Sequence, residues 1–173
     1  MSARRTLAAI AVGVLAAVSI GLPAGPARAE DCTIPVFRYR HGIVSLIEHG
    51  ATVNVRVEVA DTERAREVGL MCRRALDPDA GMLFVFEDVT REPFWMKNTL
   101  IPLSIAFLDT RWHAVGIFDM RVAPNPFDPP PGDIWGPSRP YQYALEVNQG
   151  FFKVHGLDDR AQFRFTPSEP AKP

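Results

Sequence analysis

The stretch GMLFVFEDVTREPFWMKNTLIPLSIAF, residues 81–107, decides the fold. Two apolar runs flank a compact centre, Phe94-Trp95-Met96-Lys97-Asn98-Thr99, and side chains of that bulk need a folded core to shelter them. Residues 82–86 are apolar on both faces, the pattern of a central strand covered on each side. Pro102 supplies no ladder donor, so Leu100 and Ile101 belong at a strand entrance or a sheet edge. Beyond it Leu103, Ile105 and Phe107 alternate, Asp109-Thr110-Arg111 turns the chain, and residues 112–117 return as the partner of a hairpin.

Upstream, residues 43–47 and 51–60 read as two strands joined at His49-Gly50. Val53, Val55, Val57 and Val59 share one face of the second strand, while Asn54, Arg56 and Glu58 share the other. That period of two is the mark of an antiparallel sheet with one solvated face. After Ala60 the period changes. Asp61-Thr62 supplies an N-cap, Glu63 puts negative charge in the first turn, and Ala65, Val68 and Met71 form the inward face of a short helix over about residues 63–68. Gly69 ends it, and Asp77-Pro78-Asp79 makes a turn.

Downstream, residues 122–140 are rich in Pro and Gly and cannot donate a continuous ladder, which predicts a long surface loop. The loop carries Trp135, which either folds back as a plug or faces a ligand. Residues 141–148 form a well-marked strand, residues 150–155 a turn or short helix, and residues 162–165 a last strand. The expected fold is mainly β: a single-domain antiparallel β-sandwich, jelly-roll-like, with one short α-helix.

The first residues have the pattern of an export signal. Arg4 and Arg5 precede an apolar run over residues 7–20, and Ala27-Arg28-Ala29 offers a cleavage site. Residues 1–29 are therefore read as a signal peptide, residues 30–50 as an arm and first strand, residues 51–166 as the β domain and residues 167–173 as a flexible tail. The periplasm of a Gram-negative cell is the expected compartment, with secretion as the alternative. No stretch reaches the roughly 20 apolar residues of a spanning helix. The whole chain has 19 basic and 20 acidic side chains; without residues 1–29 the balance becomes 16 to 20. A mildly acidic chain without a basic stripe does not read as a nucleic-acid binder. In an oxidising compartment Cys32 and Cys72 are expected to form a disulfide; the alternative is two unpaired thiols with Cys72 buried. Neither C-x-x-C nor H-x-x-x-H occurs, so no metal or other cofactor is expected.

Several ordered blocks resemble the domain of unknown function 192 family: Thr62-Glu63-Arg64-Ala65 with Gly69-Leu70-Met71 and Arg73; Gly81-Met82-Leu83-Phe84 with Phe86; Phe94 to Thr99 with Ile101-Pro102-Leu103; and Tyr143 to Asn148 with Gly150 and Gly156. The resemblance covers about residues 53–165 and implies one compact β-sandwich-like domain with a short helix and no accepted activity. Where such proteins usually carry an acidic residue after the Pro-Leu pair, this chain has Ser104.

On an extended strand Trp95, Lys97 and Thr99 would share one side and Phe94, Met96 and Asn98 the other, placing an indole, an ammonium and a hydroxyl together. Such a surface suits a small anionic or carbohydrate-like ligand; the plainer reading is a packed corner with Lys97 lying over the indole. Arg64 on the helix and Glu146 on the late strand would form a charge-assisted pair if the helix lies across the sheet end. Trp95, Lys97, Thr99, Arg64, Glu146 and Trp135 are thus the candidate ligand-binding residues. The expected function is a non-enzymatic binding module of the cell envelope, taking a small molecule, glycan or peptide. The alternatives are a glycan-processing enzyme using a carboxylate such as Glu146, and a structural or assembly partner of an envelope protein. No catalytic residue is assigned, because no nucleophile motif stands out.

Overall fold

The computed structural model describes residues 32–35 and 37–168. The proposed export signal and the end of the tail, residues 169–173, lie outside them.

The chain is mainly β. It runs β1 (Arg40–Glu48), β2 (Ala51–Ala60), α1 (Glu63–Val68), β3 (Ala80–Thr90), β4 (Phe94–Trp95), β5 (Leu103–Leu108), β6 (Ala114–Met120), β7 (Ile134–Trp135), β8 (Tyr141–Asn148), α2 (Phe151–Val154) and β9 (Gln162–Pro167). Seven strands make one sheet in the order β6-β5-β8-β3-β2-β1-β9, and β4 with β7 makes a two-stranded ribbon. The architecture is that of a single β-sandwich-like domain.

Local chemistry accounts for the first half. His49 and Gly50 both have positive φ, the backbone that a tight two-residue hairpin needs, and they join β1 to β2. Thr62 caps α1 by accepting from the Ala65 N–H. Gly69, with φ 49°, takes the chain out of the helix. One pairing departs from the antiparallel pattern: β2 and β3 run parallel, with Val57 opposite Gly81. A parallel pair needs a crossover rather than a tight turn, and α1 with the segment after it supplies one. The sheet is therefore mixed, and a second short helix, α2, lies beyond β8.

The alternation of side chains splits the core in two. Val44, Leu46, Val55, Val57, Leu83 and Leu145 on one face pack with α2 and Phe163. Met82, Phe84, Leu103, Ile105 and Phe107 on the other face pack with Ala65 of α1, Met96 and Tyr141. Strands β3, β5 and β8 contribute to both clusters, which is why their sequences are apolar with little alternation. His113, just before β6, makes one bridge to Gln162 at the start of β9, beside a hydrogen bond from the Phe163 N–H to the Trp112 carbonyl of 3.1 Å. The sheet thus turns back on itself without closing into a barrel.

Strand β1, the expected first strand, lies between β2 and β9 inside the main sheet. The last strand runs to Pro167, and the Ser168 N–H still reaches the His41 carbonyl at 2.9 Å. Cys32 and Cys72 form a disulfide with Cα atoms 5.5 Å apart, which ties the N-terminal arm to the segment after α1. Ser104 stands in register with Asp119 of β6, hydrogen bonds to its carboxylate, and accepts from the Gly150 N–H at 2.8 Å. The Ser104 hydroxyl thus links β6 to the start of α2.

Candidate functional site

A cleft of about 470 Å³ opens between α1 with its following loop and the segment running from β4 to Thr99. Its floor is the face of the sheet that carries the Phe84 and Tyr141 cluster. Glu146 lies at that floor. It is in register with Met82 of β3 on one side and Ile105 of β5 on the other, so its carboxyl stands between two apolar rows. The residue is 5 % exposed, and its carboxyl has no hydrogen-bond or ion-pair partner among the described residues. Burial, which penalises the charged form, pushes its pKa up to about 8. At neutral pH the group is therefore mostly a neutral acid, able to donate one hydrogen bond and accept others. Glu58, two strands away in the same row, is paired with Arg73, whereas Glu146 has no such pair among the described residues.

The walls are aromatic and aliphatic. Phe94 is held edge-on by Phe84 at 4.9 Å and by Phe107 at 5.4 Å, and Val68, Gly69 and Leu70 close the opposite side. Trp95 is 51 % exposed at the mouth, with the Lys97 ammonium 5.5 Å from its ring centroid. Strand geometry ends at Trp95. Met96 to Thr99 is a tight turn in which the Thr99 N–H donates to the Met96 carbonyl and Asn98 has φ 54°. The expected alternation therefore fails after one step: Phe94 lines the cleft together with Trp95, Lys97 and Thr99, while Met96 is sealed in the core.

Four of the six candidate residues, Trp95, Lys97, Thr99 and Glu146, line this one cleft. The other two do not. Arg64 lies on the solvent side of α1 and pairs with Glu67, three residues on, so it makes no pair with Glu146. The reason is helical: Ala65 and Val68 take the inward face, which leaves Arg64 and Glu67 outside. Arg64 lines a smaller neighbouring cleft of about 220 Å³, whose far wall is the disulfide-tethered arm at Ile34 and Pro35. Trp135 is the partner of Phe94 in the β4–β7 ribbon and packs against the core with the Arg121 guanidinium 6.0 Å from its ring, so it plugs the fold.

Sequence reasoning missed Arg66. It is half-buried in the cleft wall, donates from Nη1 to the Val85 carbonyl at 2.9 Å, and lies 4.9 Å from the Phe86 ring centroid. At Val85 the β2 ladder has ended and the β8 ladder shifts register, which leaves that carbonyl free to accept. Nothing in a single sequence marks such a break.

Fold and cleft together define a one-domain β protein with an open pocket above a buried, unpartnered acid. The chain belongs to the family DUF192, described as an uncharacterised ACR, which matches residues 44–165. Two solved structures are similar to it over nearly their whole length. One, from Sinorhizobium meliloti, is described as a candidate transcription regulator; it is 32 % identical with a TM-score of 0.66, covering 76 % of this chain and 98 % of its own. The other, a protein of unknown function from Novosphingobium aromaticivorans, is 25 % identical with a TM-score of 0.64, covering 82 % and 99 %. No curated protein matches the chain. No helix among the described residues is long and apolar enough to cross a membrane.

Proposed function

We propose that this protein is a non-enzymatic binding domain of the cell envelope that holds a small molecule, or one unit of a glycan or peptide, in the cleft beneath Trp95. The observation that carries the reading is Glu146: a buried carboxyl without a partner, at the floor of an open cavity. A carboxyl set among apolar side chains, with no protein partner among the described residues and facing an open cavity, is the kind of isolated polar group that fixes a ligand's orientation in a binding pocket. An exposed indole at the mouth supplies a flat apolar surface for a ring. The envelope assignment rests on the signal-like residues 1–29 and agrees with the Cys32–Cys72 disulfide, which suits an oxidising compartment.

The test is a thermal-shift screen of envelope metabolites and glycan fragments against the wild type and a Trp95→Ala/Lys97→Ala double variant. The variant is expected to unfold cooperatively and to lose the shift seen with the wild type. Equal shifts in both proteins place binding elsewhere.

A second reading is favoured by the same acid, since a carboxyl titrating near neutrality is suited to proton transfer. It requires turnover of an envelope glycan that Glu146→Gln abolishes without unfolding the domain; undiminished turnover in a folded variant excludes it.

A further inference from the structure

We infer that the molecule taken up by this cleft carries an oxyanion, a carboxylate or a phosphate, anchored by the guanidinium of Arg66 with Lys97 as the second cation. The inference rests on the cleft being a binding site and adds the chemical class of what it binds.

Ionisable groups in the lining are sorted by depth. Glu63, Glu67 and Glu92 are exposed at the outer rim, and Glu67 is already paired with Arg64. Arg66 and Lys97 are half-buried, and among the described residues neither has a carboxylate within 4.0 Å. Charges in water are screened, whereas those against low-dielectric walls keep their reach. A ligand inside the cleft therefore meets two half-buried cations, unpaired among the described residues, in its lining, while the three acids there are exposed to solvent. Glu146 does not oppose an anion, because burial keeps it largely neutral near pH 7, and its proton is available for donation.

Arg66 is also held ready. One Nη1 hydrogen is spent on the Val85 carbonyl and the planar group lies against Phe86, which fixes the fork while leaving other N–H donors unassigned. A pre-oriented fork loses little entropy on meeting a bidentate oxyanion. Lys97 is steadied over the Trp95 ring and by a backbone turn in which the Thr99 hydroxyl donates to the Lys97 carbonyl at 3.3 Å.

The experiment compares four probes of one ring size, benzoate, phenyl phosphate, benzyl alcohol and benzylammonium, by amide chemical-shift titration of the full domain. Signals of residues 69–71 and 94–99 report on the cleft. Benzoate or phenyl phosphate is expected to bind at least tenfold more tightly than benzyl alcohol, and which of the two is tighter identifies the oxyanion. Arg66→Gln is expected to remove that preference while benzyl alcohol still binds; Arg66→Lys, which keeps the charge and loses the fork, is expected to keep only part of it. Equal or tighter binding of benzyl alcohol or benzylammonium overturns the oxyanion inference and leaves the binding site standing. Absence of cleft shifts with all four probes overturns both. Should Arg66→Gln unfold, Lys97→Met is expected to weaken oxyanion binding alone, and an unchanged preference there overturns the inference.

Discussion

Glu146 and Met82 stand side by side across the β8–β3 ladder, both on the face of the sheet that α1 covers. The Glu146 carboxyl lies beside a fully buried methionine and has no cation paired with it among the described residues, and its chemistry follows from that placement.

Stability should fall as pH rises through the neutral range. The folded state holds the Glu146 proton up to about pH 8, while in the unfolded chain the same group releases it near its ordinary value of 4.5. Between these values the folded state binds more protons, so its contribution is complete below 4.5 and is lost by up to about 1.4 kcal/mol per pH unit until 8 is passed. Glu63, Arg66, Glu67, Glu92 and Lys97 line the same cleft, yet burial alone accounts for the shift. Urea denaturation from pH 5 to 9 is expected to show the decline, and Glu146→Gln to abolish most of it and to be the more stable protein at pH 9.

Removing the disulfide should cost on the order of 3–4 kcal/mol. Cys32 and Cys72 are 40 residues apart, and that cross-link restricts the unfolded chain accordingly. A Cys32→Ser/Cys72→Ser protein is expected to unfold at lower urea than the oxidised wild type and to be indifferent to reductant. Coincident curves would show that the arm adds nothing to the domain.

Gly81→Ala should be among the most damaging small substitutions. A methyl group there would lie 2.5 Å from the Glu146 carbonyl and 3.0 Å from a Val147 methyl, and the first of these is backbone in a central strand. Overpacking of this kind costs about 1–3 kcal/mol or more, readable as a lower denaturation midpoint.

Phe94 and Trp95 are neighbours in sequence and should differ in kind. Phe94 packs edge-on against Phe84 and Phe107, so Phe94→Ala is expected to cost roughly 3 kcal/mol or more. Half-exposed Trp95 should be replaceable by alanine within about 0.5–1 kcal/mol, while probe binding in the cleft is lost. Equal destabilisation by both would make Trp95 part of the core.

What the sequence determined by itself was everything governed by neighbours along the chain. Thr62 and Gly69 bound a helix that occupies Glu63–Val68, the alternating valines mark β2, and Tyr141–Asn148 is a strand over the whole expected span. Membership of the family was legible for the same reason, since its blocks are local. Only the tertiary structure decided the parallel β2–β3 pairing, the plugging role of Trp135 and the choice of Arg66 over Arg64. Each of these depends on which segment lies against which: the crossover sets the direction of β3, the ribbon turns Trp135 inward, and a register break at Val85 frees the carbonyl that holds Arg66. The isolation of Glu146 has the same origin, because a carboxyl's solvation is set by the strands beside it and the helix above it, none of which adjoins it in the chain.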